Sequence, residues 1–159
     1  PVLDASVHEA PLHFSMAKSG DRLLLGLSSA HHVGVDLEPL HRRAHDPLGV
    51  ARRYFSAAEE QALAGAATEE RHAAFLRTWA CKEAVVKASG LGIANQLCRF
   101  TVETRLTEPP AVLDFDGDTG GRWSLALLHP ESEFLGALAL PGPIDRLVAR
   151  SLAPTERAA

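Results

Sequence analysis

The alternation of apolar and polar side chains is clearest near the start of the chain. Leu12, Phe14 and Met16 alternate with His13, Ser15 and Ala17. Ser19, Gly20 and Asp21 then supply turn residues before the apolar run 23–27, so the pattern predicts a β-hairpin over residues 12–30. A short strand over 33–37 follows His31 and His32. Pro39 and Pro47 bracket a charged loop, and residues 50–54 fit a short helix. Ser56 with Glu59 three residues on is a capping-box pattern that starts a helix through Ala64, with Phe55 placed as its hydrophobic-staple residue. The longest helical period covers residues 69–89 after Thr68. Its apolar side holds Phe75, Leu76, Trp79, Val86 and neighbouring alanines, and Gly90 with Gly92 ends it. Strands over 98–104, 111–115, 122–128 and 134–140 follow, with 114–121 as a solvent-facing turn. Residues 144–152 fit a last strand, and 154–159 fit a frayed tail. Strands, then helices, then strands predict an α+β fold in which an antiparallel sheet packs against the long helix.

Composition narrows the function classes. With 159 residues, 46% hydrophobic and 23% charged, the chain fits one domain or two tightly fused lobes and is too apolar for general disorder. Sixteen Lys and Arg against twenty Asp and Glu leave a net charge of -4, which argues against a general nucleic-acid or membrane-surface binder. The longest apolar stretches, such as 135–140, are too short to span a bilayer. No basic segment with a following apolar run stands at the N-terminus, so no membrane partner and a cytoplasmic location are expected. Cys81 and Cys98 lack zinc-site spacing and read as free, buried thiols. The chain begins at Pro1 rather than methionine, which fits a processed or trimmed form.

Candidate chemistry lies in the acidic strand and the long helix. Asp36 and Glu38 are two apart on a strand, so both carboxylates point to one face. Glu83 stands four residues before Lys87, so the two share a helix face. If these faces meet, three carboxylates converge beside an ammonium, an arrangement suited to Mg2+ bridging phosphate oxygens. Taken singly, Asp36 and Glu38 equally fit exposed strand carboxylates, and Glu83 with Lys87 an ordinary surface pair. Arg42, Arg43, Arg52 and Arg53 fit either a solvated face or a docking patch for an acidic helix.

The segments Gly34-Val35-Asp36-Leu37-Glu38, Arg53-Tyr54-Phe55-Ser56 with Glu59, and Trp79-Ala80-Cys81-Lys82-Glu83-Ala84-Val85-Val86-Lys87-Ala88 together resemble the paired signature of the 4'-phosphopantetheinyl transferases. The Trp-x-x-Lys-Glu-Ala form is closer to the surfactin-synthetase-activating (Sfp) type than to the short holo-acyl-carrier-protein synthases. The resemblance implies that family's fold, over residues 33–153, and transfer of the phosphopantetheine arm of coenzyme A to a serine of an acyl, peptidyl or aryl carrier protein. It implies Asp36, Glu38 and Glu83 as Mg2+ ligands on the pyrophosphate. Glu83 would accept the serine proton, directly or through a water on the metal, and Lys87 would pair with phosphate oxygens. Lys82 is implied as a second phosphate contact. His31 and His32, just before the acidic strand, fit either nucleotide-facing side chains or solvated loop histidines.

Two departures from the family pattern stand out. The hairpin of this family runs Phe-Ser to Ser-His-Ser, whose histidine contacts the coenzyme A phosphates. Here Phe14-Ser15-Met16-Ala17-Lys18-Ser19 puts Lys18, with Ser19 beside it, at that place. Lysine keeps a cation but cannot be a neutral acceptor. Residues 1–32 also read as a remnant of a first lobe that is otherwise largely missing. A second copy of the chain, forming a homo-oligomer that completes the site, or an absent N-terminal segment would supply that wall. A catalytically weak homologue that only binds carrier protein or coenzyme A, and a generic Mg2+-dependent phosphodiester hydrolase, are the alternatives.

Overall fold

A computed structural model of the protein describes residues 12–90, 97–116, 118–119 and 122–152. Gly92, expected to help end the long helix, and the expected frayed tail 154–159 lie outside the described residues. The first two strands, β1 (His13–Ser19) and β2 (Arg22–Ser28), form an antiparallel hairpin around Gly20, whose φ of 60° suits the turn. The third strand, β3 (Gly34–Pro39), opens the second sheet. Three helices follow: α1 (Pro47–Tyr54), α2 (Ala57–Gly65) and α3 (Thr68–Ser89). After a 3-10 turn over Leu97–Arg99 come β4 (Phe100–Val102), β5 (Val112–Phe115), β6 (Asp118–Thr119), β7 (Trp123–Leu128) and β8 (Phe134–Pro141). The strands make three antiparallel sheets, ordered β1-β2, β3-β8-β7 and β4-β5-β6.

Helix boundaries follow local chemistry. Asp46 caps α1 by accepting from the Gly49 amide at 2.9 Å, and Pro47 takes the first helical turn, where its missing N–H costs nothing. The Ser56–Glu59 capping box forms as the spacing predicts. Phe55 does not staple α2, because residue 60, four into that helix, is a glutamate. Instead its ring stacks on Phe75 at 5.7 Å and lies 6.2 Å from Trp79, tying the α1–α2 junction to α3. Gly90 ends α3 in the left-handed region at φ 71°.

The β3-β8-β7 sheet lies between two apolar layers, and the alternation along its strands decides what each layer meets. Ala137 and Ala139 of β8 face Ala80, Ala84, Val85 and Ala88 of α3. Leu138 and Leu140, with Val35 and Leu37 of β3, form a second cluster with Ala17 of the hairpin. Alanine toward the helix and leucine toward the hairpin let α3 approach closely on one face only. From Ala74 to Ala88 the helix is buried on nearly every side, as befits a central element.

Three expectations are corrected. Residues 144–152 carry no strand: Gly142 at φ 134° and Pro143 break the extended chain just after β8, and of residues 144–152 only Ile144 packs into a core cluster. Residues 114–121 are not wholly turn, since Asp118 and Thr119 pair with Phe115 and Asp114. Cys81 is buried as expected, but Cys98 is exposed, because the 3-10 turn points Leu97 inward and its neighbour out.

Candidate functional site

Asp36 and Glu38 stand on the face of β3 opposite Val35 and Leu37, at 7% and 6% exposure. What brings this face against α3 is Gly34. A Cβ there would collide with the Ala84 carbonyl oxygen and lie 2.5 Å from the Ala88 amide nitrogen, so only glycine permits the strand to come so near the helix backbone. Glu83 and Lys87 project from that part of α3. Lys87 Nζ donates to Asp36 Oδ1 at 2.8 Å and to the Val35 carbonyl at 3.0 Å, which bridges strand and helix. Glu83, 6% exposed, lies one turn before it and is an electrostatic neighbour of Asp36, Glu38, Lys87 and Arg42.

Three carboxylates thus face two cations. Burial is the first cause that pushes the Asp36, Glu38 and Glu83 carboxyls above their ordinary values, and repulsion from Asp36 adds to it at Glu38 and Glu83. Lys87 pulls Asp36 back down, and Arg42 does so for Glu38. Asp36 Oδ2 is buried with no hydrogen-bond partner. Among the described residues, no three histidine, cysteine or acidic side chains stand close enough together for a metal shell, and Asp36 and Glu38 are each paired with a cation. The donor set nonetheless fits a hard divalent ion. All donors are carboxylate oxygens, one of them is a buried acceptor without a donor, and added positive charge would relieve the mutual repulsion.

Two residues act here that the sequence reading did not assign to the acidic group. Arg42 Nη1 lies 2.5 Å from both Glu38 oxygens, and its guanidinium sits 5.9 Å from the centre of the Trp79 ring. Trp79, expected as core packing alone, is also a polar neighbour of Glu38 that favours its charged form. The signal for Arg42 was its place four residues after Glu38. That spacing means proximity on a helix, but here it is produced by a turn in which the Arg42 amide donates to the Pro39 carbonyl at 3.0 Å.

Lys82 is a correction. Instead of reaching phosphate, it is fully buried on the side of α3 turned toward α2 and β4. Its Nζ donates to Glu59 at 2.7 and 2.6 Å and to the Phe100 carbonyl at 2.7 Å, and lies 4.2 Å from the centre of the Phe100 ring. Burial lowers the Lys82 pKa while Glu59 opposes the shift. Glu59 therefore does more than cap α2: it also accepts from the Val102 amide at 2.7 Å. The side chains of Lys18, Ser19 and His32 are not gathered to the acidic group by any contact among the described residues. Lys18 is exposed at the end of the hairpin with half-buried Ser19 beside it. His32 is exposed, with its ring 4.4 Å from that of His13.

A groove of about 600 Å³ adjoins the acidic group, lined by Arg42, Arg43, His45, Arg53, Tyr54 and Trp79 among others. It is both basic and aromatic. Arg52, by contrast, pairs with Glu60 at 3.3 Å on the surface. Among the described residues no helix is long and apolar enough to cross a membrane.

With this geometry in view, comparison with known proteins is informative. The family profile of the 4'-phosphopantetheinyl transferase superfamily matches residues 32–139. The chain is similar to the 4'-phosphopantetheinyl transferase HetI of Nostoc sp., at 32% identity over 142 residues covering 89% of this chain and 57% of that protein. It is also similar to the 4'-phosphopantetheinyl transferase AcpT of Salmonella typhimurium, at 38% identity over 121 residues covering 76% and 59% respectively. The chain spans about half the length of the curated relatives it matches. Its fold is similar to that of a holo-(acyl-carrier-protein) synthase from Bacillus anthracis solved with CoA (3',5'-ADP). The TM-score is 0.51 and the identity 22%, over 70% of this chain and 96% of that one.

Proposed function

The chain belongs to the 4'-phosphopantetheinyl transferase superfamily, and from that premise we propose that it moves the 4'-phosphopantetheine arm of coenzyme A onto a serine hydroxyl of an acyl, peptidyl or aryl carrier protein. The serine oxygen forms a bond to the phosphorus that bears the arm, the pyrophosphate P–O bond breaks, and 3',5'-adenosine diphosphate leaves. The observation that carries this reading is the buried patch where Asp36 and Glu38 from β3 and Glu83 from α3 act on one another beside Lys87 Nζ.

In this reading Glu83 takes the serine proton. Burial first, and then the charge of Asp36, raise its pKa, so that its ionised form is a stronger base than an ordinary glutamate. Lys87, held on the Val35 carbonyl and Asp36, presents its ammonium to the phosphate oxygens. Asp36, Glu38 and Glu83 would hold Mg2+, which supplies charge neutralisation on the pyrophosphate. Lys18, Ser19 and His32 would serve the nucleotide end, where an exposed lysine can donate to phosphate.

The Trp79-to-Ala84 segment supports the surfactin-synthetase-activating type. A second copy of this chain is proposed to complete the coenzyme A wall by covering the outer hairpin face, where Met16, Leu23, Leu25 and Leu27 are exposed beside Lys18; solution mass tests it. The proposed compartment is the cytoplasm, where thiols such as Cys81 remain reduced.

The test is incubation with coenzyme A, Mg2+ and a panel of apo carrier proteins, read by mass spectrometry. The phosphopantetheine mass should appear on the serine, and Glu83→Gln should slow its appearance by about 10²- to 10⁴-fold, the usual range for a lost general base. Lys18, at the place where the family pattern has a phosphate-contacting histidine, favours a second reading, a weakly active binding module. Tight coenzyme A binding with no modified carrier would decide for that.

A further inference from the structure

We infer that Arg42 is the counter-ion residue of the acidic site: it holds Glu38 before loading, and a divalent cation engages Glu38 only by displacing the guanidinium toward the adjoining groove. The inference rests on the reading of Asp36, Glu38 and Glu83 as a cation site.

The two cations at the site are held differently. Lys87 is anchored on the buried helix and donates to both Asp36 Oδ1 and the Val35 carbonyl, so Asp36 keeps Oδ2 available while Lys87 stays in place. Arg42 sits in the turn after β3. Its side chain is 51% exposed, it pairs with Glu38 over the Trp79 ring, and its charge also acts on Asp36 and Glu83. Arg42 Nη1 spans both Glu38 oxygens at 2.5 Å. An ion approaching the same carboxylate meets a like charge at contact distance, in a patch where burial weakens screening. The movable member of the pair is therefore Arg42, and Glu38 is the ligand whose release controls loading.

The groove gives the guanidinium somewhere to go. Arg42 already lines it, together with Arg43, Arg53 and Tyr54, so displacement adds positive charge to a wall that is already basic. An anionic partner in that groove then binds better to the loaded protein, and by linkage it favours loading in turn. Trp79 reports the event directly, because its ring lies under Arg42 and it neighbours Glu38.

Mn2+ alone, titrated into the full chain with the free ion counted by electron paramagnetic resonance, tests this without turnover. Arg42→Gln should bind about tenfold more tightly than wild type, the change equivalent to 1.4 kcal/mol. Arg42→Lys should fall between the two, since it keeps the charge without the fork. In a Trp123→Phe background, which leaves Trp79 as the only tryptophan, Mn2+ should shift the emission of the protein with Arg42 and change it far less in Arg42→Gln. Equal or weaker binding by both Arg42 variants, or a Trp79 emission that ignores Mn2+ binding, overturns the inference and leaves the cation site standing. Binding by Asp36→Asn equal to wild type, or no Mn2+ bound by any variant, overturns the site along with it.

Discussion

Lys82 and Glu83 are consecutive, yet they serve different sides of α3. Adjacent helix positions are rotated by roughly 100°, so once Glu83 faces β3, Lys82 turns toward α2 and β4, where Glu59 and the Phe100 carbonyl hold it. A fully buried ammonium is stable only with such partners, and removing one strands the other charge. Lys82→Met should therefore cost about 3–5 kcal/mol in urea unfolding. Adding Glu59→Gln should restore part of that loss, because the amide oxygen can still accept from the Val102 amide. A Lys82→Met protein as stable as wild type would show that the pair does not hold these elements together. The motif placed Lys82 beside Glu83 in sequence, but only the direction of its side chain separates a phosphate ligand from a buried structural ion.

At the scale of elements, the decisive approach is that of β3 to α3. Alternation along residues 33–37 made the shared face of Asp36 and Glu38 legible, and i,i+4 spacing did the same for Glu83 and Lys87. That the two faces meet depends on Gly34 and on Ala137 and Ala139, the small residues that let the helix lie against the sheet. Gly34→Ala should lower stability by at least about 1–3 kcal/mol, the range for overpacking, because the obstacle is helix backbone rather than a side chain that can turn away. It should also weaken cation binding, since the Lys87 bridge to Asp36 and Val35 crosses the same gap. Gly65→Ala is the control. A Cβ there meets nothing within 4 Å, so its melting temperature should change little. The expected strand over 144–152 failed for a reason that alternation does not contain. A strand needs a partner edge, and the Gly142–Pro143 break leads the chain away from one.

For the molecule as a whole, the three carboxylates link stability to pH and to cation. Their folded pKa values lie above the ordinary ones, so on lowering the pH the folded state takes up protons before the unfolded chain does. Without a cation their contribution is therefore least favourable near neutrality and improves as the pH falls through the raised values. Mg2+ acts in the opposite sense, because it stabilises the fold only through ionised ligands. The rise in melting temperature produced by Mg2+ should be largest near neutral pH and shrink on acidification. It should be absent in Asp36→Asn at every pH, and a rise that persists there would place the ion elsewhere. The order of elements as far as the long helix, the capping box, the facing pairs Asp36/Glu38 and Glu83/Lys87, and the family resemblance were legible in the sequence, because all of them are local periodicities or fixed spacings along the chain. Tertiary structure alone decided that Glu38 belongs to Arg42 and Trp79, that Lys82 belongs to Glu59, and that Asp36 keeps one buried oxygen without a donor. Those outcomes depend on which side chains are left to neutralise each buried charge once distant segments pack, and no repeat of 2 or 3.6 residues encodes that balance.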